Sequence, residues 1–325
     1  MNLWNTLLPL HQALSSVTHN HALSYLSKDN IAMIDSFTGD AIATETVQKR
    51  IEGIRYWADR CKADIDKVGN FVVLKEKFSE LLMFTKLARR YQTEAIPEKA
   101  TPTPDFRVRF KTLELFVEMK SLNLLDPDVN HRTIMSDALE RKIETERQLK
   151  QGRRVAMSDF VIQPYRRGDD YKPDSTTAVV EALIEKVDQN IGKDQFGFGP
   201  TILLLDFSGQ LLLHGSPSGN LNREFVCDAE NVPVPQSGEL WHLAFGAVGM
   251  PMKRVIDFEG LDEKDAPLSR EGILRKHDFI AGLAVHHEGK FWGAALRCRQ
   301  NINAVEFLQD LCEEVAIETP ETICQ

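Results

Sequence analysis

At residue 105 the hydrophobic period of this chain switches from that of helices to that of strands, and this switch limits the fold more than any other feature. Before it, apolar residues recur at helical spacing. Residues 3–17 read as a short helix and residues 41–68 as a longer one, where Val47, Ile51, Ile54, Ala58, Cys61, Ile65 and Val68 follow a 4-3-4-3 heptad pattern. A Gly69-Asn70 break precedes a third helix over residues 72–92, which carries Leu74, Phe78, Leu81 and Ala88 on one face and Glu76 and Glu80 beside them. Residues 94–104 hold three prolines and no apolar period, so they read as a loop. Then Phe106, Val108 and Phe110 alternate with Arg107 and Arg109, and after Lys111-Thr112 a mostly apolar run over residues 113–122 continues as strand.

Downstream, helices over residues 136–152 and 177–191 alternate with strands over residues 155–162 and 201–207, which implies an α/β layer. Past residue 208 the pattern turns β-rich, with candidate strands at 210–214, 240–248, 279–286 and 291–297 and a closing helix over 304–315. The expected organisation is a helical segment over residues 1–70, an α/β core over 71–207 and a β-rich region over 208–325.

One constellation carries chemistry. Glu118 and Lys120 are two apart on a strand, so both point to one face, about 6.6 Å apart along the chain. Asp105 stands at the mouth of the preceding strand, after the stiff Thr-Pro-Thr-Pro entry that ends at Pro104. Phosphodiester hydrolysis needs a cation to neutralise phosphate, an activated water and stabilisation of the leaving oxygen, and two carboxylates with a lysine can scaffold all three.

Thr103-Pro104-Asp105-Phe106, followed thirteen residues after Asp105 by Glu118-Met119-Lys120, resembles the active site of the PD-(D/E)xK nuclease superfamily. The resemblance spans residues 72–207. It implies a restriction-endonuclease-like core, a mixed central sheet flanked by helices. It also implies Mg²⁺, with Mn²⁺ able to substitute, held by Asp105, Glu118 and the Met119 carbonyl, with Lys120 positioning or activating water. Family members often add an upstream acidic residue, here Glu80 with Glu76 as second choice, and a Gln or Lys on the following helix, here Gln148. The implied substrate is nucleic acid, DNA before RNA, in prokaryotic antiviral defence, restriction or repair. The competing class is a non-catalytic protein that keeps the nuclease fold as a nucleic-acid-binding or assembly module.

A second Glu-x-Lys, Glu288-Gly289-Lys290, follows Asp278 at an acceptable spacing, but Gly289 falls where a hairpin would turn and no Pro-Asp precedes it. His19-Asn20-His21 and His286-His287 lack further ligands at useful spacing and read as surface or core histidines. Gly215-Ser216-Pro217-Ser218-Gly219 puts proline where a nucleophile elbow needs serine, and Phe196-Gly197-Phe198-Gly199 precedes a strand rather than a helix. GxxxxGK[ST] is absent from the sequence, so the resemblance implies control by a separate ATPase or by a homo-oligomer, with the heptad pattern as the expected contact.

A net charge of −9 weighs mildly against a phosphate-rich partner, although carboxylates gathered around metal can coexist with a local basic rim. Arg107, Arg109, Arg153 and Arg154 are the expected nucleic-acid contacts; Arg141, Lys142, Arg147, Lys150, Arg166 and Arg167 form further basic clusters. Met1 to Ser15 is apolar without a basic leader or cleavage signal, and no apolar run approaches membrane-spanning length, so a cytoplasmic protein is expected. The five cysteines are scattered and free of CxxC spacing, and are expected to be reduced thiols.

Overall fold

The computed structural model describes residues 3–15, 26–38, 45–64, 67–97, 101–122, 131–153, 176–207, 224–227, 233–236, 238–250, 267–287, 290–297, 302–312 and 317–320. Among these residues four helices come first: α1 (Leu3–Ser15), α2 (Lys28–Thr38), α3 (Glu45–Ala63) and α4 (Val68–Arg90). Strands β1 (Gln92–Ala95), β2 (Phe106–Phe110) and β3 (Leu113–Ser121) follow, then helices α5 (His131–Lys150) and α6 (Thr176–Asn190) and a 3₁₀ turn, Lys193–Phe196. The remainder comprises β4 (Thr201–Asp206), β5 (Glu224–Cys227), β6 (Pro233–Gln236), α7 (Glu239–Phe245), α8 (Ile273–Lys276), β7 (Gly282–His287), β8 (Lys290–Leu296), α9 (Ile302–Cys312) and β9 (Ile317–Glu318).

Seven strands form one mixed sheet in the order β1-β2-β3-β4-β7-β8-β9. Its centre, β3-β4-β7, is parallel. Antiparallel hairpins flank that centre on both sides. Every residue of β4 is buried, which is why this strand reads as a continuous apolar run instead of an alternation. Leu115, Val117, Met119, Ile202 and Leu204 face one layer, built from α1 to α4 and α9. Leu203, Leu205, Leu283 and Val285 face the other, built from α6, α7 and α8. The protein is therefore α/β, a sheet covered on both faces.

The three expected spans share these layers. The helices before residue 70 pack in the same core as β2 and β3, and β7, β8 and β9 extend the sheet that β3 and β4 begin. The heptad stripe also turns inward. Val47, Ile51, Ile54, Ala58 and Cys61 are buried against the chain's own helices, so they offer no surface to a partner. Ile65 lies outside the described residues, and the helix ends at Ala63.

Two other expectations are corrected. Residues 240–248 are expected as strand; Glu239–Phe245 is instead a short helix in which Leu240 to Phe245 are all buried, and a short apolar run of this kind is one that periodicity alone cannot assign. It sits so close to α8 that a Cβ on Gly272 would lie 2.6 Å from the Ala244 backbone. Residues 92–95 were read as the end of a helix running into a loop, yet they form edge strand β1, which needs no apolar face because one side is open to water. The strands expected at 155–162 and 210–214 lie outside the described residues. Among the described residues no helix is long and apolar enough to cross a membrane. Cys61 and Cys312 are free, buried thiols whose pKa values burial raises to about 12.

Candidate active site

Asp105 is tied to β3 at two points. Its backbone N–H donates to the Val117 carbonyl (3.1 Å), and its Oδ2 accepts the Met119 N–H (2.8 Å). The stiff entry through Pro104 thus delivers the carboxylate to the strand that carries Glu118 and Lys120. Those two pair in register with Leu203 and Leu205 of β4 and share their face of the sheet. From the facing helix α6 come Lys186 and Asn190, from the 3₁₀ turn Gln195, and from α4 Glu76, Lys77 and Glu80. Together with Asp105, Glu118, Met119 and Lys120 these line a cleft of about 550 Å³.

Within it Glu118 is buried. Its Oε1 accepts from Lys120 Nζ (2.6 Å) and from Gln195 Nε2 (2.9 Å). Its Oε2 is buried with no hydrogen-bond partner. Glu80 Oε1 lies 2.7 Å from an Arg50 nitrogen, and the same nitrogen lies 3.8 Å from Asp105 Oδ1. Burial pushes the Asp105 pKa up to about 6; the Glu118 charge adds to this, and the Arg50 guanidinium opposes it. Burial also raises the Glu118 pKa against the pull of Lys120, and Glu80 raises it further. Glu76 is raised by burial as well, with Lys186 opposing. Crowded carboxylates with raised pKa values are the electrostatic situation that a bound cation relieves.

Whether these groups fit a divalent metal turns on donor chemistry and occupancy. Carboxylate oxygens and a backbone carbonyl are the hard donors that Mg²⁺ takes, and Glu118 Oε2 is a buried acceptor with nothing to accept. Against this, among the described residues no group of three or more His, Cys, Asp or Glu is arranged to hold a metal ion. Arg50 lies between Glu80 and Asp105, and Lys120 lies on Glu118. The donor set fits; the positions are filled by the protein's own cations.

Of the expected site residues, Asp105, Glu118, Lys120, Met119, Glu80 and Glu76 meet in one cleft. Gln148 does not. On α5 its amide donates to Glu144 Oε1 (3.0 Å) and accepts from Arg153 (3.2 Å), while Gln195 takes the position beside Glu118. The expected nucleic-acid contacts are also elsewhere. Arg107 pairs with Glu94 and Glu114 and Arg109 with Gln92, so both belong to the outer face of the β1-β2-β3 hairpin. Arg154 lies outside the described residues. The cations that line the cleft are Lys77, Lys120 and Lys186. Of the second Glu-x-Lys, Lys290 opens β8, and Glu288 and Gly289 lie outside the described residues.

A second polar cluster went unrecognised in the sequence. Asp206, at the end of β4, accepts from Ser79 Oγ (2.7 Å) through Oδ2 and is hydrogen-bonded to His286 Nδ1 (2.9 Å) through Oδ1. Lys86 Nζ lies 3.4 Å from His286 Nε2. Asp206 and His286 are fully buried, and α4 supplies both Ser79 and Lys86. Comparison of the chain with family models, with curated proteins and with solved structures returns no match.

Proposed function

We propose that this chain is a metal-dependent phosphodiesterase of PD-(D/E)xK type, with a restriction-endonuclease-like core, acting on nucleic acid and on DNA before RNA. The observation that carries the reading is the meeting of Asp105, Glu118 and Lys120 with Glu80 in one open cleft, where a buried Glu118 oxygen lacks a partner. Asp105, Glu118, Glu80 and the Met119 carbonyl would hold Mg²⁺, which when bound supplies neutralisation of the phosphate and a more acidic water. Lys120, anchored on Glu118 Oε1, would orient the attacking water or meet the scissile phosphate. Gln195 fixes the Glu118 carboxylate from the other side. Lys77 and Lys186, with Asn190, give the cleft donors for a phosphodiester backbone. By resemblance the products carry a 5′-phosphate and a 3′-hydroxyl, and the setting is defence, restriction or repair.

The test is cleavage of DNA and of RNA by the full chain with Mg²⁺ or Mn²⁺. Cleavage that survives undiminished in Asp105→Asn or Lys120→Ala would sink the assignment. One observation favours the second reading, a non-catalytic nuclease-fold protein: Arg50 and Lys120 already neutralise the carboxylates. Calorimetric titration with Mn²⁺ separates the two, since a non-catalytic module of this kind binds none.

A further inference from the structure

Arg50 reaches the site from α3, and it is only 8% exposed. Its guanidinium carbon lies 5.0 Å from the centre of the Phe106 ring. One terminal nitrogen lies 2.7 Å from Glu80 Oε1 and 3.8 Å from Asp105 Oδ1; the other, Nη1, is buried with no hydrogen-bond partner. A buried guanidinium with an unsatisfied nitrogen is held where it is at a cost. The two carboxylates offset that cost, and they come from separate elements, α4 and the entry to β2.

We propose that Arg50 is an internal cation that competes with divalent metal for Glu80 and Asp105, so that metal binding requires its withdrawal. The inference rests on the metal-dependent reading above and adds regulation to it. A divalent ion and a guanidinium cannot share this space, because like charges at close range in a buried setting repel strongly. Once Arg50 leaves, its guanidinium no longer occupies Glu80 Oε1 and Asp105 Oδ1. They join Glu118 Oε2, which already lacks a partner, to give three acidic oxygens from three elements. The position of α3 thereby sets how readily the cleft takes metal.

The experiment is calorimetric titration of Mn²⁺ into the full-length chain without nucleic acid, at a pH above the Asp105 pKa, for wild type, Arg50→Met and Arg50→Lys. Arg50→Met is expected to bind roughly ten- to a hundredfold tighter than wild type, since a charge-assisted contact no longer has to be broken. Arg50→Lys, shorter and without the planar fork, should fall between. Equal affinity in all three overturns the competition while leaving the metal site standing, and weaker affinity in Arg50→Met overturns it by making Arg50 a positioning residue. No binding in any of the three overturns both the inference and the metal-dependent reading. Thermal unfolding supplies the folding control: Arg50→Met should melt lower than wild type without metal and gain more from Mn²⁺. If Arg50→Met shows no cooperative melt, Arg50→Lys decides alone, tighter binding than wild type supporting the competition and anything else overturning it.

Discussion

Helix α4 carries polar side chains into two clusters that differ in how completely they are satisfied. Around Asp206, the carboxylate has Ser79 on one oxygen and His286 on the other, and Lys86 closes the far side of the imidazole. Around Glu118, one oxygen accepts from both Lys120 and Gln195 while the other has no hydrogen-bond partner, and three more carboxylates line the adjoining cleft. Lys75 feels both clusters: burial lowers its pKa, and Asp206 and Glu76 pull it back up. A satisfied buried network fixes α4 onto β4 and β7. An unsatisfied one beside an open cleft has an acceptor left for a bound cation, and on the proposed reading the Glu118 cluster is where the chemistry takes place.

The sharpest way to break that contrast is to ask each cluster for activity. Glu118→Gln and Lys120→Ala should each lower metal-dependent cleavage on the order of a thousandfold or more, the scale of losing a group aimed at developing charge. Both should leave the fold intact by circular dichroism. If either retains wild-type cleavage, the Glu118 cluster is not where phosphodiester bonds are hydrolysed.

Asp206→Ala should act through stability instead. Removing the carboxylate takes away the buried partner of Ser79 Oγ and of His286 Nδ1, a loss of about 1–3 kcal/mol. Denaturant unfolding would show this loss, and the folded fraction should keep its turnover. A catalytic defect with unchanged unfolding would erase the distinction between the clusters.

Sequence reading reached these clusters unequally, for physical reasons. Glu118 and Lys120 were legible because a strand puts residues two apart on one face, and Asp105 because proline stiffens its approach. The α/β layer was legible in the alternation of strands and helices, and the apolar run Ile202 to Leu205 within β4 suits a strand buried on both faces. Asp206 could have been singled out, since a carboxylate closing such a run must find a partner. That partner was not legible: Ser79 is 127 residues away and His286 is 80. Arg50 was hidden next to a heptad stripe that drew attention to its apolar members, and Gln195 sits in a polar turn that resembles any exposed one. Gln148 was expected because it lies on the next helix, yet α5 turns that side chain to its own neighbours.

Asp105→Asn tests the electrostatics from the stability side. The folded pKa of about 6 lies above the ordinary 3.8, so protonated Asp105 favours the folded state. That contribution is full at pH values below the unfolded pKa and is lost as pH rises through the folded one. At neutral pH the ionised carboxylate therefore costs stability, and Asp105→Asn should be more stable than wild type in the absence of metal, by on the order of 1–3 kcal/mol. The gain should shrink as pH falls from about 6 toward 3.8. A variant that is less stable than wild type at neutral pH would mean that Arg50 and the Met119 N–H outweigh burial.

The smallest expected effects define the edge of the site. Arg107→Ala removes exposed pairs with Glu94 and Glu114, and Gln148→Ala removes contacts to Glu144 and Arg153 on a solvated helix. Exposed pairs of this kind contribute about 0–1 kcal/mol, so both variants should unfold close to wild type. Neither side chain lines the cleft, so cleavage and nucleic-acid affinity should change by less than roughly twofold in either, within the scatter of ordinary surface substitutions. Lys186→Ala, by contrast, removes a cleft cation and should weaken nucleic-acid binding and reduce its dependence on salt. If Arg107→Ala weakens binding as much as Lys186→Ala does, the nucleic acid follows the outer face of the β1-β2-β3 hairpin and not the cleft floor between α4 and α6.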